Sequence, residues 1–293
     1  MIDFKPVATG YCFLEAPRAD GDVVWFTDLL LGGLRRLRPG GQIDEFLPDR
    51  TKIGGAALNE DGCIVCGGTG GIAWLNPVTG KSGMLLEVAD GKPIDCVNDM
   101  LPDGKGGLYF GTSHTRLHQR EETPPPLAIY RLDPDGRVTR LADGLRLCNG
   151  IGLSPDGRRL YHNESLVGTF VYDIQPDGSL KDKTLFCPET DCDGLAMDRE
   201  GGVWIAGFDS GSIRRILPNG KVDRRERLPV KNVMSLCFGG ADWRDLYVAT
   251  AGNQGVDKMM AGVSPPREAS LYKARSDIAG LPVPRTGFRI TAS

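Results

Sequence analysis

The segment 193–207 reads Asp193-Gly194-Leu195-Ala196-Met197-Asp198-Arg199-Glu200-Gly201-Gly202-Val203-Trp204-Ile205-Ala206-Gly207. A short apolar run meets a tight polar turn, and a β-branched and aromatic run follows. That order is the signature of two short strands joined by a hairpin turn. The turn-then-strand unit recurs along the chain, as DGDVVWFTD from Asp20, EDGCIVCGG from Glu60, PDGKGGLYFGT from Pro102, PDGRRLYHNE from Pro155, DREGGVWIAGF from Asp198 and GADWRDLYVAT from Gly240. Successive starts lie 40, 42, 53, 43 and 42 residues apart. After each copy comes a second alternating stretch, such as GGLRRLRPGG from Gly32, LAIYRLDPDG from Leu127 or GSIRRILPNG from Gly211. Most of these run into a Pro-Asp-Gly-like turn.

Three or four short strands every ~42 residues is the spacing of a propeller blade. The sequence therefore predicts an all-β, six-bladed β-propeller, with four-stranded antiparallel blades around a central channel and the whole of 1–293 in one domain. The alternative is a large β-sandwich or two β domains, against which the regular six-fold count argues. The stretch around Val7–Phe13 is expected to complete the last blade. Two polar stretches, His114–Pro126 and Val256–Glu268, break the period and read as loop insertions near a site.

Composition agrees. Forty glycines and 20 prolines among 293 residues suit turns and penalise helices, and no segment sustains a 3.6-residue period. The net charge of −3 carries no basic stripe, so nucleic-acid binding is not expected. No apolar run approaches the ~20 residues of a membrane helix, and the N-terminus lacks an apolar signal core. The expected location is cytoplasmic, and the eight cysteines are expected to be reduced thiols. Cys63 and Cys66 form a single CxxC that reads as buried strand cysteines rather than a zinc or redox motif. His162 lies inside a strand pattern and reads as structural. Gly67–Gly71 reads as a strand-to-strand turn. Serine-elbow, HExxH and P-loop motifs are absent.

In a propeller the innermost strand of each blade lines the channel, so polar residues at like places in different blades face one another. Asn149 lies seven residues before Asp156, and Asp193 seven before Glu200; Glu15 lies five before Asp20, and Asn98 five before Asp103. All four sit in apolar first strands, where a polar side chain is costly unless paired or metal-bound. Two carboxylates and two amides form a hard-oxygen set. It suits one divalent metal ion, read as calcium (Ca2+), with magnesium (Mg2+), manganese (Mn2+), iron (Fe2+) and zinc (Zn2+) as alternatives.

At these residues the sequence resembles the senescence-marker-protein / gluconolactonase / luciferin-regenerating-enzyme family, the regucalcin-like proteins. The matching pieces are Glu15-Ala16-Pro17 before Trp25-Phe26-Thr27-Asp28, Val97-Asn98-Asp99 before Pro-Asp-Gly, Asn149-Gly150 before Leu-Ser-Pro-Asp-Gly, and Asp191-Cys192-Asp193-Gly194 before Gly-Gly-Val-Trp-Ile-Ala. The resemblance, over about residues 8 to 280, implies a six-bladed propeller with one catalytic metal. It implies Glu15, Asn149 and Asp193 as metal ligands, Asp193 also as catalytic general base, and Asn98 as a residue lining the substrate site. It implies a hydrolase that opens a lactone, by metal polarisation of the carbonyl and attack of water.

Three departures stand out. Cys96 occupies the place where members that bind sugar lactones often carry Arg, Arg116 stands where they carry an acid, and Ala16 replaces the usual Gly. With His114 and His118 in the same insertion, the candidate substrate-binding set is Asn98, Cys96, His114 and Arg116. Cys96 suggests a less hydroxylated substrate than a hexonolactone. The expected partner is a small-molecule substrate. The alternatives are a metal-dependent phosphotriesterase-like or other carbonyl-chemistry enzyme, and a non-enzymatic calcium-binding propeller.

Overall fold

The structure, a computed structural model, describes residues 2–115, 126–253 and 266–290. Its strands form six four-stranded antiparallel blades, and no helix occurs among the described residues. Blade 1 comprises Leu14–Asp20, Val23–Asp28, Leu34–Leu37 and Ile43–Phe46. Blade 2 comprises Ala56–Leu58, Ile64–Cys66, Ile72–Leu75 and Ser82–Leu86. Blade 3 comprises Cys96–Pro102, Leu108–Ser113, Leu127–Leu132 and Val138–Leu145, with the two-residue strand Gly68–Thr69 added on its inner edge. Blade 4 comprises Cys148–Leu153, Arg159–Glu164, Gly168–Ile174 and Leu180–Cys187. Blade 5 comprises Leu195–Met197, Val203–Gly207, Ser212–Ile216 and Val222–Arg227.

Blade 6 takes Val233–Gly239, Asp245–Thr250 and Ala269–Arg275 from the end of the chain. Its fourth strand is Lys5–Tyr11, which pairs antiparallel with Ala269–Arg275. The expected N-terminal closure is therefore present, two residues earlier than the sequence suggested. Six apolar clusters fill the spaces between successive blades; Phe110 and Met100 anchor the one between blades 2 and 3, and Trp204 and Phe238 the one between blades 5 and 6. The two inserted stretches fall between the second and third strands of blades 3 and 6, and most of their residues lie outside the described ones.

The opposite end carries the Asp-Gly turns, whose aspartates do structural work. Asp198, fully buried, accepts from Trp204 Nε1 at 2.8 Å and from Arg215 Nε at 2.7 Å, and Asp103 accepts from Arg131 Nε at 2.9 Å. Across this end runs a C-terminal tail that the repeat pattern did not reveal. Leu281 N donates to Met197 O in blade 5, Arg285 reaches Asp20 in blade 1, and Gly287 N donates to Gly106 O in blade 3. Between these anchors Leu281, Pro282, Val283 and Pro284 close a cavity of about 50 Å³ against Arg18, Leu101, Ile151 and Cys237.

None of the eight cysteines forms a disulfide, and all are buried. Burial pushes the Cys63 and Cys66 thiols up to about 11, which keeps them protonated near neutrality and agrees with the structural reading of the CxxC pair. His162 is also a core residue, wholly buried, with both ring nitrogens lacking a partner. Burial, helped by Lys183, pushes its pKa from 6.5 down to about 3. The unfolded chain therefore takes up a proton that the folded chain refuses as pH falls from 6.5 toward 3. Stability declines over that window by up to about 1.4 kcal/mol per pH unit. His162→Leu removes the titrating group and two unpaired polar atoms. It is expected to raise the melting temperature at pH 7 and to lose less of it between pH 7 and pH 5 than the unmodified protein. Equal losses for the two proteins would contradict this account.

Candidate metal centre

The first strands run in the same direction, so their opening residues gather at one end of the channel. Glu15 is the second residue of its strand, Asn149 the second of its own, and Asn98 the third; Asp193 lies two residues ahead of Leu195–Met197. Each strand is irregular at that point. The pairing register slips between Glu15 and Arg18, between Val97 and Met100, and between Cys148 and Ile151. A bulge re-aims side chains that strict alternation would bury against the next blade. Ala16, within the first bulge, is buried with φ 49°, in the left-handed region. An alanine there costs about 1 kcal/mol that a glycine would not.

Close approach of neighbouring strands depends on two glycines. A Cβ at Gly194 would lie 2.2 Å from Ser235 Oγ, and one at Gly54 would lie 2.0 Å from Asn98 Oδ1. Blade 2 therefore contributes space rather than a side chain, which explains its lack of a polar residue at the corresponding place. Asp193 is held through its backbone: its N–H donates to Ala206 O at 2.9 Å, and its carbonyl accepts from Asn163 Nδ2 at 2.6 Å and Gly150 N at 3.1 Å. Asn149 is pinned on both sides of its amide. Asn98 Nδ2 donates to its Oδ1 at 2.6 Å, and its Nδ2 donates to Ser165 Oγ at 2.7 Å. Ser165 in turn donates to Cys192 O.

The electrostatics are dominated by crowded acids. Glu15 and Asp193 are 6% and 5% exposed. Burial raises the pKa of Glu15 well above the usual range, and Asp193 and Asp99 raise it further; Asp193 is raised by burial and then by Asp99. Asp99, 5% exposed, is pushed up to about 6 by burial, with Arg18 opposing. The nearby cation is Arg18, which donates from Nη1 to Pro17 O at 2.9 Å and from Nη2 to Met100 O at 2.8 Å, and whose buried Nε has no partner. With all three carboxylates ionised against one guanidinium the group would carry −2, which one divalent cation would balance; without a cation, burial and mutual repulsion push Glu15 and Asp193 toward the protonated form. Carboxylate and amide oxygens are also the donors such a cation prefers. Among the described residues no three His, Cys, Asp or Glu side chains are spaced to hold a metal; the converging set is two carboxylates and an amide, with Asp99 beside them. The residues present fit a hard divalent ion.

Asp99 and Arg18 escaped the sequence reading, although both are charged residues in apolar first strands and the same rule that marks Asn149 marks them. Of the expected set, Glu15 and Asp193 are near enough to interact electrostatically, and Asn98 and Asn149 are hydrogen-bonded to each other. Cys96 is buried at the start of the strand that holds Asn98, and His114 is partly buried just beyond Leu108–Ser113. The Cys96 thiol points to Lys52 O and Val97 O at 3.9 and 3.8 Å. Burial pushes it up to about 12, and the charges acting on it are Lys52, Asp95 and Arg50 rather than the channel acids. His114 Nδ1 lies 3.6 Å from Asp95, which also accepts from Thr115 Oγ1 at 2.7 Å. Arg116 and His118 lie outside the described residues.

A family profile described as "SMP-30/Gluconolactonase/LRE-like region" matches residues 13–252. A regucalcin from Danio rerio is 32% identical over 236 residues, which cover 75% of this chain and 78% of that protein. A pentonolactonase from Haloferax volcanii is 27% identical over 284 residues, 91% of each chain. Among solved structures, a luciferin-regenerating enzyme superposes with a TM-score of 0.85 at 20% identity, covering 98% of this chain and 100% of that one. A calcium-binding protein, regucalcin, from Agrobacterium tumefaciens superposes with a TM-score of 0.84 at 21% identity, covering 99% and 98%. These two structures speak for the fold, and the profile, spanning most of the chain, speaks for descent: the chain belongs to the SMP-30/gluconolactonase/LRE-like family.

Proposed function

We propose that the protein is a metal-dependent hydrolase that opens a lactone. The observation that supports this reading is the burial of Glu15 and Asp193 close enough to raise the Glu15 pKa, with Asn149 buried on the neighbouring strand and more acid than local base. Family membership, with a gluconolactonase and a pentonolactonase among the related proteins, supports the reaction class.

Glu15, Asn149 and Asp193 would hold the cation, which when bound supplies Lewis-acid polarisation of a carbonyl oxygen. Asn98 orients the Asn149 amide and faces the space above it. The Asp193 carboxylate accepts a proton from the attacking water. The water oxygen bonds to the carbonyl carbon, the ring C–O bond breaks, and the proton passes to the departing ring oxygen. The product is an open-chain hydroxy acid. Asp99 and Arg18, below the ligands, set the local charge. Cys96 presents a neutral thiol rather than a thiolate.

The test is elemental analysis of the purified protein, followed by assay with that metal restored against sugar lactones, alkyl lactones, aryl esters and phosphotriesters. The expected result is one divalent ion per chain and turnover of lactones ahead of the other classes. Turnover of phosphotriesters without lactones would place the chemistry elsewhere. A bound ion with no turnover on any class would point to a calcium-binding role.

A further inference from the structure

The end of the channel that holds the candidate ligands is not uniformly polar. Phe13, two residues before Glu15, packs with Met234, Ala251 and Phe208 in one apolar cluster contributed by blades 1, 5 and 6. Phe13 and Phe208 remain partly exposed. The cluster adjoins the candidate ligands directly, because Met234 O accepts at 2.8 Å from Gly194 N, the residue after Asp193. Blade 4 adds Leu166, next to the Ser165 hydroxyl that accepts from Asn149. Leu166 is 56% exposed and has φ 68°, in the left-handed region. A leucine in that conformation is unfavourable, and here its side chain gains little from burial in the protein's own core. Exposure and strain together, beside a candidate reaction site, mark a surface kept for something other than folding.

Polar groups flank the cluster but are engaged within the protein: Asp209 pairs with Lys231 and donates its N–H to Asp191 Oδ1, and Asn232 Nδ2 donates to Phe208 O. Asp95 is engaged by Thr115 and His114, and the Cys96 thiol by backbone carbonyls. A polyhydroxylated ring placed over Glu15 and Asp193 would set hydroxyls against two phenyl rings and a leucine, a poor exchange for water.

Resting on the lactone-hydrolase reading above, we propose that the site selects a lactone bearing an apolar substituent, an alkyl chain or an aromatic ring, and that the partly exposed Phe13 and Phe208, backed by buried Met234, recognise it together with exposed Leu166 of blade 4. Each methylene placed on such a wall raises kcat/KM by up to about four-fold, so a pentyl group gives a preference of at least about ten-fold after imperfect burial.

The test uses the full chain loaded with its metal and three δ-lactones of one ring size: unsubstituted δ-valerolactone, its 5-pentyl derivative and glucono-δ-lactone. The pentyl compound is expected to lead the other two by at least about ten-fold in kcat/KM. Phe208→Ser and Leu166→Ser are each expected to lower the pentyl-to-unsubstituted ratio several-fold, chiefly through KM, with the metal content intact. Val283→Ser, an exposed apolar residue on the opposite face, is expected to leave the ratio alone. Glucono-δ-lactone ahead of the pentyl compound, or a ratio unmoved in both wall variants, overturns this inference and leaves the lactone reading standing. No turnover of any lactone overturns both.

Discussion

Asp193→Ala is expected to abolish stoichiometric metal binding and to lower kcat/KM toward lactones by about 10³-fold or more, because the proposed mechanism gives this one side chain both the ligand and the proton-acceptor role. Glu15→Gln keeps shape and removes charge, and is expected to weaken metal binding while leaving Asp193 in place, so its loss of kcat/KM recovers in part at high metal concentration. A second signature separates a ligand role from a merely structural one. In the metal-free protein Glu15 and Asp193 are buried acids that disfavour each other's ionisation, with Asp99 adding to both. Removing one relieves that repulsion. Stripped of metal, Asp193→Ala is therefore expected to melt no lower than the stripped parent protein at neutral pH. On adding a divalent ion the parent gains stability, by about 4 kcal/mol at a thousand-fold excess over Kd, and the variant gains almost none. Elemental analysis, steady-state kinetics and melting curves with and without chelator measure all three quantities. Retention of metal and of full activity in both variants would sink the proposed centre.

The four candidate residues were legible because propeller first strands are apolar and any polar side chain in them needs a reason. The strand pairing and its hairpin turns were legible for the same kind of cause, since each blade repeats a local pattern and its partners are adjacent in sequence. What was not legible depended on bulges or on distance. Asp99 follows Asn98 directly, and period-two alternation would send the two side chains to opposite faces; the register slip between Val97 and Met100 breaks that alternation and leaves Asp99 among the channel acids. The same holds for Arg18, beyond the slip that begins at Glu15. The apolar wall was hidden for a different reason. Phe13, Phe208 and Met234 come from three blades and touch through tertiary packing that no spacing rule encodes. The family's usual glycine at position 16 shows how the resemblance and the geometry inform each other, since the left-handed backbone there explains the glycine and makes Ala16 a strained substitute.

The C-terminal tail was the least legible element, because its partners lie far away in the chain and it has no strand period. The Asn59 side chain is its lock. Its Nδ2 donates to Phe288 O at 2.9 Å, and its Oδ1 accepts from Phe288 N at 3.0 Å and from Thr286 Oγ1 at 2.8 Å. Phe288 itself is buried in the core between blades 2 and 3. Burying that ring contributes about 2–3 kcal/mol and the hydrogen bonds about 1 kcal/mol each. Asn59→Ala is accordingly expected to cost about 3 kcal/mol, since it leaves buried Phe288 backbone groups unpaired. Removing residues 277–293 is expected to cost about 4 kcal/mol or more and to lower the melting temperature by about 10 °C. The two changes share one set of partners, so adding Asn59→Ala to the shortened chain is expected to cost little further. The candidate ligands sit at the other end of the channel, so any metal binding is expected to survive the truncation, with the shortened protein assayed well below its melting point. Two results would contradict a cap that closes the far end: a melting temperature unchanged by the truncation, or fully additive losses. The physical reason for such a cap follows from the ring architecture. Six blades leave a channel whose lower half is lined by Leu101, Ile151, Leu153, Leu195, Met197 and Cys237. Covering that apolar surface with Leu281, Pro282 and Pro284 removes part of it from water at the end away from Glu15 and Asp193, which is the stabilisation that the truncation would forfeit.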